Sequence, residues 1–144
     1  MSRLLGIAIR PRGEDTMHLL EEVSIATETG IAGDKHSQPG KRQVTVLNSL
    51  SWQQVCTELR AELSWTTRRA NLLIDDIELQ KATGKKIVIG DVILEITGET
   101  DPCKQMEEAH PGLLRALVPD WRGGVTCRVV QAGRVRVGMD VRML

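Results

Sequence analysis

Lys86-Ile87-Val88-Ile89-Gly90-Asp91-Val92-Ile93-Leu94-Glu95-Ile96-Thr97 decides the architecture of this chain. Lys86 to Asp91 reads as a β-branched strand followed by a turn. Val92 to Thr97 alternates Val, Leu and Ile with polar positions, the period of a second strand. The same grammar extends in both directions. Leu4 to Arg10 is mostly apolar and stops at Pro11, as a first or edge strand does. Gln43-Val44-Thr45-Val46-Leu47 is β-branched and alternating. Glu21–Ile25 and Ala70–Ile74 are further strand candidates. Val125–Val130 and Arg134–Met139 suggest a closing hairpin across Ala132-Gly133, and Val141–Met143 a final strand.

Helical signals are few. Asn48 or Ser49 can cap a helix starting near Leu50, in which Trp52, Val55, Cys56 and Leu59 share one face. Lys104–Glu108 and Leu113–Val118 are shorter helical runs separated by Pro111-Gly112. Many short strands with glycine corners and two or three short helices predict a mainly β, closed or nearly closed β-barrel. The helices would plug an end or cover a gap. A parallel βαβ sheet fits less well, because strands and helices do not alternate regularly. The 144 residues are expected to form a single domain, residues 1–144, large enough for a true core.

Composition narrows the function. Lysine plus arginine (19) balances aspartate plus glutamate (19), so global charge points to no polyanion. There is no Phe or Tyr and only three Trp, which leaves little for stacking bases, and no nucleic-acid partner is expected. No run approaches the roughly 20 apolar residues of a membrane span. The apolar run at the N-terminus is shorter than a signal peptide needs and is interrupted by Arg10. Three cysteines, at 56, 103 and 127, show neither a CxxC pair nor zinc spacing, a pattern of a reducing compartment. A cytoplasmic protein is expected.

Cys103 is the residue with chemistry. Asp101-Pro102-Cys103 follows the strand-like run and the turn-like Gly98-Glu99-Thr100, and precedes Lys104–Glu108. A thiol at such a strand-to-helix corner meets unpaired helix N–H groups and Lys104, both of which favour a thiolate. Glu107, one helical turn on, would oppose that. The other reading of Cys103 is a small buried apolar residue. Cys56 has helix-face spacing and Cys127 alternates with Val125 and Val129, so both read as packing. His18 and His110 read as solvent or loop residues.

Seven segments in order carry a resemblance. They are Gly30–His36 (GIAGDKH), Arg42–Leu47 (RQVTVL), Arg68–Ile74 (RRANLLI), Gly90–Gly98 (GDVILEITG), Pro102-Cys103, Arg122–Val129 (RGGVTCRV) and Gly133–Val141 (GRVRVGMDV). Together they resemble the MOSC domain, named for the C-terminal domain of molybdenum cofactor sulfurase, from about Leu4 to the C-terminus. The resemblance implies a β-barrel-rich fold built around one cysteine. That cysteine would carry sulfur as a persulfide or bind molybdenum through its thiolate, and it maps onto Cys103. Molybdenum cofactor (molybdopterin) is the implied cofactor. Some relatives reduce N-hydroxylated compounds with electrons from a reductase. Others sit behind a cysteine desulfurase domain, which this chain lacks, so a desulfurase or a reductase would be an external partner.

Around Cys103, the resembling segments supply the candidate ligands. Arg42, Arg69 and Arg122, with Arg68, lie beside strands or glycine turns and read either as guanidinium forks for phosphate or oxo groups or as solvated surface arginines. In Gly33-Asp34-Lys35-His36, Asp34 would cap or fix the loop; Lys35 reads first as a solvated charge on a glycine turn and second as an anion contact, and His36 equally as either, with a proton to donate near a pocket. Asn71 would bond a ligand or satisfy strand-end backbone. Three functions are consistent with this set: a cofactor-binding or sulfur-carrying protein, a molybdenum-dependent reductase, and a small anion-binding barrel with an incidental thiol. A dimer through exposed strand edges is compatible with each.

Overall fold

The computed structural model describes residues 2–144. Eleven strands and three short α-helices follow in the order β1 (Ser2–Ile9), β2 (His18–Leu20), β3 (Glu22–Ala26), β4 (Gly30–Ile31), β5 (Val44–Asn48), α1 (Ser49–Leu59), β6 (Leu72–Ile74), β7 (Lys86–Ile89), β8 (Val92–Glu99), α2 (Lys104–Ala109), α3 (Leu113–Leu117), β9 (Val125–Gln131), β10 (Gly133–Arg136) and β11 (Asp140–Met143). Two 3-10 turns, Trp65–Arg68 and Pro119–Trp121, complete the chain.

Seven strands close a barrel in the order β11-β7-β8-β9-β5-β6-β1, and β1 returns to β11 through Ser2↔Val141 and Arg3↔Asp140. Closure leaves no open edge on this ring. Every pairing around it is antiparallel except β5–β6, where Val46 faces Leu72 in parallel. That one parallel pair is bridged by α1, as a parallel pair requires a crossover. β2 extends the sheet outward from β1, and β10-β3-β4 form a separate three-stranded sheet. The barrel is therefore mainly β with three short helices, as the strand periodicity predicts.

The alternation read in β8 is the barrel's inside-outside pattern. Val92, Leu94 and Ile96 are buried in the interior with Ile87, Ile89, Val129 and Cys127. β5 departs from this pattern: all five of its residues are buried. Its Val44 and Val46 fill the barrel, whereas Leu47 joins Trp52, Val55, Met106, Leu113 and Leu117 in a second core beneath the helices. A strand covered on both faces loses the polar alternation. Asn48 caps α1 as expected, its Oδ1 accepting from the N–H groups of Leu50 (2.8 Å) and Ser51 (3.2 Å).

Two expectations are corrected. β9 and β10 do not form a hairpin with each other. Both edges of β9 are occupied, by β5 and β8, and β10 crosses to pair with β3 instead. Gly98-Glu99 is not a turn: β8 continues through it, with a register shift between Ile96 and Gly98. β2 carries no strand signal in the sequence, and its three residues are held by β1 alone. Among the described residues, no helix is long and apolar enough to cross a membrane.

Candidate functional site

One end of the barrel, where β5 and β6 meet the helices, opens into a cleft of about 120 Å3. Its floor is made by a buried hydrogen-bond network centred on Asn71. The Asn71 Nδ2 donates to the Ala8 carbonyl (3.1 Å) and to Asp34 Oδ1 (3.2 Å). Its Oδ1 accepts from the Thr45 N–H (3.0 Å) and the Thr45 hydroxyl (3.1 Å). All the donor and acceptor capacity of this amide is spent on the protein. Asn71 thus holds β1, β5 and the Asp34 loop together at the cleft that it also lines.

Asp34 is only 5 % exposed, and its carboxylate is consumed in the same way. Oδ1 accepts from the Arg10 N–H (2.9 Å), and Oδ2 from the His36 N–H (3.1 Å). The Lys35 N–H donates back to the Arg10 carbonyl (2.8 Å), so the loop is stitched to the end of β1. This presents Lys35 and His36 to the cleft, which Arg42 and Arg69 also line. Burial holds the His36 imidazole below its ordinary pKa, with Arg42 adding to the effect and Asp34 opposing it. His36 is accordingly neutral near pH 7.

The sign of that shift gives a test. An unfolded histidine binds its proton near pH 6.5, above where the folded His36 does. Lowering the pH from about 6.5 toward the folded value therefore costs stability, because the unfolded chain takes up the proton first. The midpoint of thermal unfolding is expected to fall more steeply below about pH 6.5 in the wild type than in His36→Asn.

Arg68 has the most informative environment. It ends the 3-10 turn Trp65–Arg68, is only 7 % exposed, and lines the cleft. Nε donates to the Gly123 carbonyl (3.1 Å) and Nη2 to the Thr100 hydroxyl (2.7 Å). Nη1 meets only the Met106 thioether at 3.9 Å. The Thr100 hydroxyl donates in turn to the Gly123 carbonyl (2.7 Å). Burial brings the Arg68 guanidinium down to about 10, helped by the nearby charge of Arg42 and opposed by Cys103. Arg68 stays charged at neutral pH, and none of its partners is a carboxylate.

The next residue, Arg69, adopts a left-handed φ of 64° and caps the turn, its N–H donating to the Thr66 carbonyl (2.9 Å). That conformation costs a side chain roughly 1–2 kcal/mol. It redirects the chain into β6, and both neighbouring arginines line the cleft.

Cys103 lies exposed at the cleft mouth as the N-cap of α2. Its Sγ meets only the Gln105 Oε1, at 3.9 Å. The buried apolar reading of Cys103 is thereby removed. α2 has only six residues, too short for a large axial dipole. Both carboxylate oxygens of Glu107 accept from the Gly112 N–H (3.2 and 3.0 Å), which ties α2 to the start of α3.

Arg122 requires a correction. It is not in the cleft: its Nη1 donates to Glu58 Oε2 (2.8 Å) and to the Ala116 carbonyl (3.1 Å), tying α1 to α3. The neighbouring Gly123 does line the cleft, where its carbonyl accepts from Arg68 and Thr100. Cys56 and Cys127 are packing residues as expected. Cys127 is fully buried among the barrel's aliphatic side chains, which pushes its thiol pKa strongly up. Arg10 and Thr100 are cleft residues that the sequence reading missed. Thr100 carries only the weak signal of lying three residues before Cys103.

The cleft thus sets five cationic side chains (Arg10, Lys35, Arg42, Arg68 and Arg69) against the carboxylates of Asp34 and Asp101, with a free thiol at its mouth. Fold and site define a small β-barrel with a thiol-bearing, cation-rich cleft. Residues 32–142 match the family model of the MOSC domain, and the chain belongs to that family. Solved structures share the fold. The YuaD protein from Bacillus subtilis superposes with a TM-score of 0.85 at 19 % identity, over 99 % of this chain and 96 % of that one. YiiM from Geobacillus stearothermophilus gives 0.79 at 14 % identity, over 100 % and 75 % of the two chains. YiiM from Escherichia coli gives 0.75 at 13 %, over 99 % and 69 %. No curated protein matches the chain by sequence.

Proposed function

We propose that this MOSC-family protein works with molybdenum cofactor through Cys103, whose thiolate binds the cofactor's molybdenum or carries sulfur as a persulfide. Residues 1–144 act as one such unit in this reading, in the cytoplasm, with a cysteine desulfurase or an electron-donating reductase as partner. The observation that carries the reading is the free Cys103 thiol at the mouth of a cleft whose charged side chains are mostly cationic.

The donor set fits the cofactor. A thiolate is a soft ligand suited to a sulfur-bound metal. Arg42, Arg68 and Arg69 offer forked donors for phosphate or oxo groups. When bound, the cofactor would supply two-electron and oxygen-atom chemistry that no side chain here can perform. The chain's own part is to keep Cys103 unpaired, to neutralise anionic charge with the arginines, and to hold the Lys35–His36 loop in place through Asp34. Neutral His36 adds a proton-holding group facing the same space.

Metal analysis and intact mass on protein purified anaerobically, from cells making the cofactor, test the reading. Near-stoichiometric molybdenum, or an added sulfur mass, is expected in the wild type and is expected to vanish in Cys103→Ser. Full metal or sulfur loading of the mutant would remove Cys103 from the mechanism.

A further inference from the structure

Arg68 is a buried cation without an anion. Its three hydrogen-bond contacts are a carbonyl, a hydroxyl and a thioether, and none of the ion pairs among the described residues involves it. A buried charge left without a counter-charge is costly. A site that keeps one, with only a thioether at Nη1 and a cleft that the guanidinium lines, suits an anion that arrives from outside. The cleft beside it, of about 120 Å3, has room for a small oxyanion. At the mouth of the same cleft, the Cys103 sulfur has no partner closer than 3.9 Å and is exposed for attack.

We infer that the cleft takes a small sulfane-sulfur donor ending in a sulfur oxyanion, a thiosulfonate or thiosulfate, with Arg68 as the oxyanion anchor and Cys103 as the nucleophile. This rests on the sulfur-carrying form of the proposed function and names its donor class. The Cys103 thiol gives its proton to solvent, and the thiolate attacks the sulfane sulfur. A new S–S bond forms on Cys103. The bond between the sulfane sulfur and the oxyanion sulfur breaks, and its electron pair leaves with sulfite from thiosulfate or with the sulfinate from a thiosulfonate. The sulfane sulfur brings its own oxidising equivalent, so no other redox partner enters. Arg68, Arg42 and Arg69 hold the oxyanion as it becomes the leaving group, where added negative charge strengthens their hydrogen bonds.

The test uses the full-length protein, kept anaerobic, with thiosulfate as probe. Inorganic polysulfide serves as a donor without an oxyanion, and iodoacetamide as a neutral probe of the thiol. Thiosulfate is expected to add one sulfur to the wild type by intact mass and none to Cys103→Ser. Arg68→Met is expected to slow thiosulfate loading at least about tenfold relative to iodoacetamide alkylation. Arg42→Gln, at an exposed position, is expected to slow it in the same sense and serves if Arg68→Met does not fold. Loading from polysulfide but not thiosulfate would overturn the donor class and leave the carrier reading standing. Loading from neither would overturn the carrier reading itself. Unchanged relative rates in the arginine variants would overturn the oxyanion anchor.

Discussion

Gly124→Ala is expected to lose at least about 4 kcal/mol of stability, a large share of the roughly 5–15 kcal/mol that holds a domain together. Gly124 has φ +93°, and a Cβ there would stand 2.2 Å from the Val46 carbonyl oxygen and 3.2 Å from its carbon. Val46 belongs to β5, where it pairs with both β9 and β6, so its carbonyl cannot retreat without opening the barrel. The Gly124 carbonyl also receives the Thr100 N–H (3.0 Å), which ties the glycine to the segment leading to Cys103. Thermal unfolding should show a drop in Tm on the order of 10 °C, or no folded protein. Gly13→Ala is the control. Its φ is +85°, but no atom lies within 4 Å of the added carbon, so only the left-handed penalty of about 1–2 kcal/mol applies. Equal losses in the two variants would show that the contact with Val46 is not what matters.

Asn71→Ala should cost about 3 kcal/mol or more, since it strands at least two buried backbone groups, each worth roughly 1–3 kcal/mol. The Thr45 N–H would lose its side-chain acceptor, and the Ala8 carbonyl would lose its amide donor. Asp34 would lose one of the three donors that hold its carboxylate in place. Asn71→Asp should be no better despite its matching shape. It removes the donor to Ala8 and sets a second carboxylate where an amide N–H now meets Asp34 at 3.2 Å. Chemical denaturation of the ligand-free protein is the measurement. A ligand-binding residue with no positioning role would leave that curve unchanged.

The readable parts of this molecule and the hidden ones differ in a consistent way. β8, β5 and the Asn48 cap follow from neighbours within a few residues, where period and capping chemistry act. Cys103 could be singled out because a thiol between Pro102 and a short helical run is unusual at any range. The arginines could not be sorted in this way. Arg68, Arg69 and Arg122 all adjoin turns or strands, yet Arg68 is buried on Gly123, 55 residues away, while Arg122 pairs with Glu58, 64 residues away. Such contacts depend on which strands lie side by side. The strained turn at Arg69 lets adjacent arginines line one cleft, where strand geometry would have sent them to opposite faces.

The sequence by itself therefore determined that the chain is mostly short strands closing on an aliphatic interior, and that one cysteine stands at a corner. Both are written in local period and composition. Only the tertiary structure decided that β10 leaves the barrel for β3, that Asn71 and Asp34 spend their polar groups on the scaffold, and that Arg68 faces the thiol's cleft without a counter-charge. Each of those outcomes requires groups from distant segments to meet. Barrel closure brings them together, and no local pattern records where they land.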